Sequence, residues 1–153
     1  MIEIERKFLV DLTKLTPFIS VNDIKQGYLN LDPERTVRVR LLKDRGTLTV
    51  KGISSDNGLS RFEWERDIYA NEAEELLKIC VGVIDKTRCV IKHDNMYWEI
   101  DFFHGDNKGL VVAEVELSSV DQQITLPPFV KTEVTGQEKY YNSHLTKNPF
   151  KNW

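Results

Sequence analysis

Charged residues alternate with apolar ones along segment after segment of this 153-residue chain, and that alternation constrains the fold more than any other feature. It starts with Glu3, Glu5 and Lys7 in EIERK. It recurs at Arg38/Arg40 (TVRVR), Arg61/Glu63/Glu65/Asp67 (RFEWERD), Lys86/Arg88 (KTR), Glu99/Asp101 (EID) and Glu114/Glu116 (EVE). Residues two apart on a strand point to one face, so each run sets charged groups side by side. The residues between them are apolar: Ile2, Ile4, Val37, Val39, Phe62, Trp64, Trp98, Ile100, Val115 and Leu117. An ordinary antiparallel sheet turns its apolar face to the core and scatters polar residues toward water. Here nearly every strand carries a dense face of mixed sign. Such faces are best accommodated when they meet one another around a polar interior.

Strands are predicted at about 2–10, 25–31, 35–43, 47–53, 60–69, 84–93, 96–103 and 111–118. Asp44-Arg45-Gly46 and His93-Asp94-Asn95 read as tight hairpin turns, and Ser54–Gly58 as a longer polar loop. One helix is predicted over Asn71–Cys80, with Asn71 as N-cap and Glu72, Glu74 and Glu75 in its first turn. A weaker one is predicted from about Gln137 to Leu145, after Pro127-Pro128. The fold class is therefore mainly β (α+β): an eight-stranded antiparallel β-barrel or two facing sheets, a polar tunnel within and a few helices covering the apolar outside. Residues 1–153 read as a single domain.

A net charge of −3 gives no reason to expect nucleic acid as a partner, although 21 cations and 24 anions can still be sorted strand by strand into a basic pocket. No apolar run approaches the roughly 20 residues that span a bilayer, and the amino terminus reads as a strand rather than a leader. No membrane association and a cytoplasmic location are expected. Cys80 and Cys89 read as buried free thiols. His93, His104 and His144 lack the spacing of a metal site. Phe18, Phe129 and Phe150 lie in connections and leave a homodimer open.

The inward cations are Lys7, Arg38, Arg40, Lys51, Arg61, Lys86 and Arg88, with Lys139 from the carboxy-terminal segment. The inward anions are Glu3, Glu5, Glu63, Glu65, Glu99, Asp101, Glu114 and Glu116. Cations alone around a closed cavity would repel one another and lose hydration. Carboxylates relieve this and also offer oxygen ligands to a hard cation such as Mg²⁺. Arginine suits bidentate phosphate contacts and lysine point-charge neutralisation. Both together fit a polyphosphate bound with its metal.

These residues resemble the CYTH domain, or triphosphate tunnel metalloenzyme, family. EIERKFLV carries the ExExK signature. RVR at 38–40, LTVKG with Lys51, GLSRFEWE, KTR at 86–88, EID at 99–101, EVE at 114–116 and Lys139 in EKYY follow in the family's order over nearly the whole chain. The resemblance implies an eight-stranded antiparallel tunnel that binds a triphosphate with Mg²⁺ or Mn²⁺. It implies Glu3, Glu5, Asp101, Glu114 and Glu116 as metal ligands, and Lys7, Arg38, Arg40, Lys51, Lys86, Arg88 and Lys139 as phosphate-binding cations. Arg61, Glu63, Glu65 and Glu99 fall on tunnel strands without an assigned role.

The short length and QGYL at 26–29 are similar to the bacterial inorganic tripolyphosphatases of the family. In that group the equivalents of Tyr28 and Lys7 are thought to act together, with a lysine of depressed pKa as proton acceptor. Read from the residues alone, Tyr28 also suits a packed aromatic at the barrel mouth. The expected activity is metal-dependent hydrolysis of inorganic tripolyphosphate to pyrophosphate and phosphate. Alternatives are an organic triphosphate substrate (thiamine triphosphate, a nucleoside triphosphate, or ATP cyclised to cyclic AMP) and a nonhydrolytic polyphosphate- or nucleotide-binding module.

Overall fold

The structure, a computed structural model, describes residues 2–153. Its strands are β1 (Ile2–Val10), β2 (Ser20–Asn30), β3 (Arg35–Leu42), β4 (Arg45–Ser55), β5 (Ser60–Tyr69), β6 (Val83–His93), β7 (Met96–Phe103), β8 (Val111–Glu116) and β9 (Val130–Glu133). The helices are α1 (Ala70–Lys78) and α2 (Asn142–Leu145). The sheet order is β5-β4-β3-β2-β6-β7-β8-β1-β9, and an additional β5–β1 pairing closes the first eight strands into an antiparallel barrel. The ninth strand is the addition to the expected set. It lies beside Phe8 and Val10, farther along the β1 edge that β5 occupies at Ile2–Ile4.

Hairpin chemistry sets the register. β3 and β4 are joined by Lys43-Asp44, with Leu42 opposite Arg45, so the turn falls one residue earlier than the sequence suggests. β6 and β7 are joined by Asp94-Asn95, both with positive φ, as a two-residue mirror-image turn requires. β2 begins earlier than expected, at Ser20, because it pairs along β6 from Val90 onward. Helix α1 starts at Ala70 rather than after an Asn71 cap, and the Glu72 carboxylate accepts from the Tyr69 N–H at 2.8 Å. The expected helix over 137–145 is split into a 3₁₀ turn at Glu138–Tyr140 and the single-turn α2.

The apolar alternate positions face outward and are covered in two ways. Over β2–β5, α1 and the residues that follow it come so close that a Cβ at Gly27 would lie 2.6 Å from Cys80 Sγ, and one at Gly46 2.7 Å from Ala73 Cβ. On the β1, β6, β7 and β8 side, Phe8, Cys89, Ile91, Trp98, Ile100, Ala113 and Val115 pack beneath Phe129. Trp98 therefore lies under the segment leading into β9 rather than under a helix, with Phe129 edge-on to it at 5.9 Å. Phe129 is thus spent in this chain's own core.

A second cluster fills one end of the barrel. Leu9, Ile84, Phe103 and Val112 are inward positions one step beyond Lys7, Lys86, Asp101 and Glu114, and they pack with Val134, Tyr140 and Leu145. The carboxy-terminal segment is thereby inserted against the barrel.

Between the β5 and β9 stretches, the β1 edge is completed by loops. The Glu5 N–H donates to the Leu59 carbonyl at 3.0 Å, and the Lys7 N–H to Thr135 Oγ1 at 2.9 Å. Gly58 (φ +88°) and Gly136 (φ +74°) meet there, and a Cβ on Gly136 would lie 2.0 Å from the Asn57 carbonyl oxygen. Gly136→Ala combines left-handed strain with a backbone clash and is expected to cost about 3 kcal/mol, lowering Tm by roughly 6–12 °C. Gly105→Ala, also at positive φ (+57°) but with open space around its Cβ, is the control at about 1 kcal/mol. Thermal unfolding of both variants checks this, and equal losses would show that the seam is not tightly closed.

Candidate active site

Every barrel strand but β2 delivers its like-parity charged residues inward, because residues two apart share a face. They surround a cavity of about 580 Å³. Its lining includes Glu3, Glu5 and Lys7 of β1, Tyr28 of β2, Arg38 and Arg40 of β3 and Lys51 of β4. Arg61, Glu63 and Glu65 of β5, Lys86 and Arg88 of β6, Glu99 of β7 and Glu114 and Glu116 of β8 complete the charged set. Two expected residues are elsewhere. Asp101 is 1% exposed and held beneath Lys86 and Arg88, so it is a support for cations rather than a free metal ligand. Lys139 sits over the rings of Tyr140 and Trp153, at 5.0 and 4.7 Å, away from the cavity lining. Arg6 points outward, as its parity requires, and binds Glu133 through two hydrogen bonds.

Pairing among the inward charges is dense. Arg88 donates twice to Asp101, each bond at 2.7 Å, and once to Glu114 at 2.9 Å, and it also pairs with Glu99. Lys86 Nζ lies 2.5 Å from Asp101 and 3.4 Å from Asn142 Oδ1. Lys7 Nζ is 2.8 Å from Glu114 and 3.8 Å from Glu5. Lys51 is shared between Glu63, at 2.6 Å, and Glu3. Arg38 donates to Thr49 Oγ1 at 3.1 Å, and Thr49 in turn donates to Glu65 at 2.7 Å.

Among the described residues three charged groups of the cavity lack an ion-pair partner: Arg61, whose guanidinium donates instead to the Gly52 carbonyl, Arg40 and Glu116. Among the described residues Arg40 has neither a carboxylate nor a hydrogen-bond partner, and its buried Nε is unsatisfied. Burial, with Arg38 and Arg88 nearby, pushes its pKa down to about 10. Glu116 has no cation partner either, and it is directly opposite Glu5 across the β1–β8 ladder. Like charges so placed repel. Close by, burial and the Glu5 charge push the Glu3 carboxyl up to about 7 against the pull of Lys51.

The lysines differ from expectation. Burial alone would depress Lys7, but Glu114 and Glu5 outweigh it and hold its ammonium above the ordinary range. Lys86 is the depressed one. Burial lowers it to about 8, assisted by Arg88 and only partly opposed by Asp101. Tyr28 is buried, its phenol pushed upward by desolvation, and Gln26 Nε2 donates to its oxygen at 3.3 Å.

Sequence reasoning missed Tyr141, Asn142 and Ser143, which line the cavity from the carboxy-terminal segment, and Asn95, Met96 and Tyr97 near the β6–β7 turn. None of them joins the charge alternation, the one signal that marked the others.

Among the described residues no three His, Cys, Asp or Glu side chains converge into a ready-made ion cage. The donor set nevertheless fits a hard divalent cation. Glu5 and Glu116 face each other without a cation at Glu116 among the described residues, burial and the Glu5 charge push the nearby Glu3 carboxyl up, and all the donors are oxygens.

A closed barrel with an unpartnered arginine on one wall and facing carboxylates on another has the donors for a polyanion and the oxygens for a hard cation. The chain belongs to the CYTH domain family, whose model matches residues 1–148. It is 42% identical to the inorganic triphosphatase of Acetivibrio thermocellus over 153 residues, covering 99% of this chain and 97% of that protein. It is 36% identical to the inorganic triphosphatase of Nitrosomonas europaea over 149 residues, covering 95% and 97%. A solved structure of an inorganic triphosphatase superposes with a TM-score of 0.64 at 31% identity, covering 94% of this chain and 96% of that one.

The Glu3 shift has a pH consequence. Between pH 4.5 and about 7 the unfolded chain releases a proton that folded Glu3 keeps, so stability falls as pH rises through that window and the penalty is complete above it. Without metal, Glu3→Gln is expected to be more stable than the parent at pH 8, by up to about 3 kcal/mol, and to show little difference at pH 4.5. Denaturant unfolding in EDTA at both pH values measures this. A pH-independent difference would mean that Glu3 is already ionised in the fold.

Proposed function

We propose that this protein hydrolyses inorganic tripolyphosphate to pyrophosphate and phosphate in its tunnel, with Mg²⁺ or Mn²⁺ as cofactor. The observation that carries the reading is Arg40: among the described residues its guanidinium has no ion-pair or hydrogen-bond partner, its Nε is buried, and it stands beside Arg38 and Arg88, so it calls for an anionic partner from outside. The inorganic triphosphatases among its relatives support the choice of substrate.

Arg38 and Arg40 would bind phosphoryl oxygens from β3, and Arg88 and Lys86 would add positive charge from β6. Glu3, Glu5 and Glu116 would hold the metal, with Glu114 beside them. When bound, the metal neutralises substrate charge and acts as a Lewis acid on a phosphoryl oxygen. Lys7 stays protonated between Glu114 and Glu5 and serves as a fixed positive charge. Lys86, ion-paired with Asp101 at 2.5 Å, is likewise a cation that neutralises phosphoryl charge, and the proton of the attacking water passes to a phosphoryl oxygen of the substrate. Tyr28 remains a neutral phenol and is placed to donate to a phosphoryl oxygen. Attack breaks one P–O–P bridge, and the leaving pyrophosphate carries away the negative charge.

Phosphate and nucleotide product analysis with tripolyphosphate, ATP and thiamine triphosphate tests the reading, each with Mg²⁺ or Mn²⁺ and with EDTA. Fast, chelator-sensitive phosphate release from tripolyphosphate is expected. Cyclic AMP from ATP, faster cleavage of an organic triphosphate, or binding without turnover would replace it. Arg40→Ala should raise KM for tripolyphosphate at least about tenfold while the protein stays folded, since a charge-assisted contact is worth about 1.5–3 kcal/mol. An unchanged KM would remove Arg40 from the substrate. Glu116→Gln should raise the metal concentration for half-maximal rate about tenfold or more, and an unaltered metal dependence would place the ion elsewhere.

A further inference from the structure

Two uncharged side chains of the carboxy-terminal segment touch the tunnel's two buried lysines. The Tyr141 ring lies with its centroid 5.7 Å from Lys7 Nζ. Its hydroxyl is packed against the seam, so that a Cβ on Gly58 would lie 2.8 Å from it. Asn142 Oδ1 accepts from Lys86 Nζ at 3.4 Å. Both residues line the cavity.

The segment that carries them is anchored on both sides. Tyr140 and Leu145 are buried in the apolar cluster at the barrel end. The Leu145 and His144 N–H groups both donate to the Tyr141 carbonyl at 2.9 Å. Outside, Trp153 stacks edge-on to Tyr140 at 5.2 Å and to Phe150 at 5.1 Å.

An ammonium on a four-carbon stem is a mobile point charge with three donors. Lys7 directs donors toward Glu114 and Glu5, and the Tyr141 ring bounds another side. Lys86 is held by Asp101, and Asn142 supplies a second acceptor. Both lysines line the cavity.

We propose that Tyr141 and Asn142 are positioning residues for the triphosphate: Tyr141 acts through Lys7 by a cation–π contact, and Asn142 acts through Lys86 as a hydrogen-bond acceptor. The assignment rests on the triphosphate reading above and adds residues that carry no charge.

Double-mutant cycles test it, read as calorimetric affinity for a methylene-bridged, nonhydrolysable tripolyphosphate analogue with Mg²⁺. Tyr141→Leu is expected to weaken binding about tenfold, and Tyr141→Phe, which keeps the ring face, by less than about twofold. In a Lys7→Met background, Tyr141→Leu should have no further effect. Asn142→Ala is expected to weaken binding about fivefold, and that loss should vanish in a Lys86→Met background. Thermal unfolding of each variant is followed in parallel, with Tyr141→Met replacing Tyr141→Leu should the latter not fold. Additive losses in both cycles, or a Tyr141→Phe loss as large as that of Tyr141→Leu, would overturn the assignment while leaving the triphosphate reading in place. Absence of analogue binding to the unsubstituted protein would overturn both.

Discussion

The charge network inside the barrel is the constraint on which the rest of the structure depends. Removing an ion from water costs several kcal/mol even after relaxation, so inward charges are tolerable only when they are matched and hydrogen-bonded. Asp101 meets that need for Lys86 and Arg88, Glu114 for Lys7 and Arg88, and the Glu3/Glu63 pair for Lys51. Among the described residues, and apart from Arg61, which donates to the Gly52 carbonyl, the matching is incomplete at Arg40 and at Glu116, on different strands. A bound metal–triphosphate would supply the missing anion to one and the missing cation to the other.

Inverting a barrel in this way displaces the hydrophobic core to its outside. Trp98, Phe8 and Phe129 form that core on one flank, and α1 seals the other through the glycines at 27 and 46. The barrel must also close where β1 changes partners from β5 to β9. The Gly58–Gly136 contact and Tyr141 close it there, so the carboxy-terminal segment belongs at once to the wall, to the apolar end cluster and to the cavity.

Much of this was legible in the sequence. Like-parity charges on EIERK, TVRVR, RFEWERD, KTR, EID and EVE marked the inward faces, and the structure brings them to the cavity except Asp101, which is buried beneath its cations, and Asp67, which pairs with Arg45 at the exposed end of β5. The alternation could say that Asp101 points inward but not that Arg88 would occupy both of its oxygens. That depends on cross-strand register, where Arg88 lies directly opposite Asp101. Nor could it rank the lysines, because a lysine's pKa follows its particular neighbours: Lys7 gained two carboxylates, whereas Lys86 shares one with an arginine. Lys139 was misplaced because a 3₁₀ turn has no period of two, and its ammonium found aromatic rings instead. Tyr141, Asn142 and the short β9 carry no pattern that a chain alone reveals. Their places are set by packing against elements distant in sequence, 56 residues for Asn142 with Lys86 and 127 for the bond from the Val134 N–H to the Lys7 carbonyl.

The most direct test of the account is a crystal structure with Mn²⁺ and a nonhydrolysable tripolyphosphate analogue, using anomalous scattering to locate the metal. The account predicts phosphoryl oxygens on the Arg40 guanidinium inside the barrel and a manganese peak among Glu3, Glu5 and Glu116. An analogue bound outside the barrel, or a metal distant from those carboxylates, would contradict it.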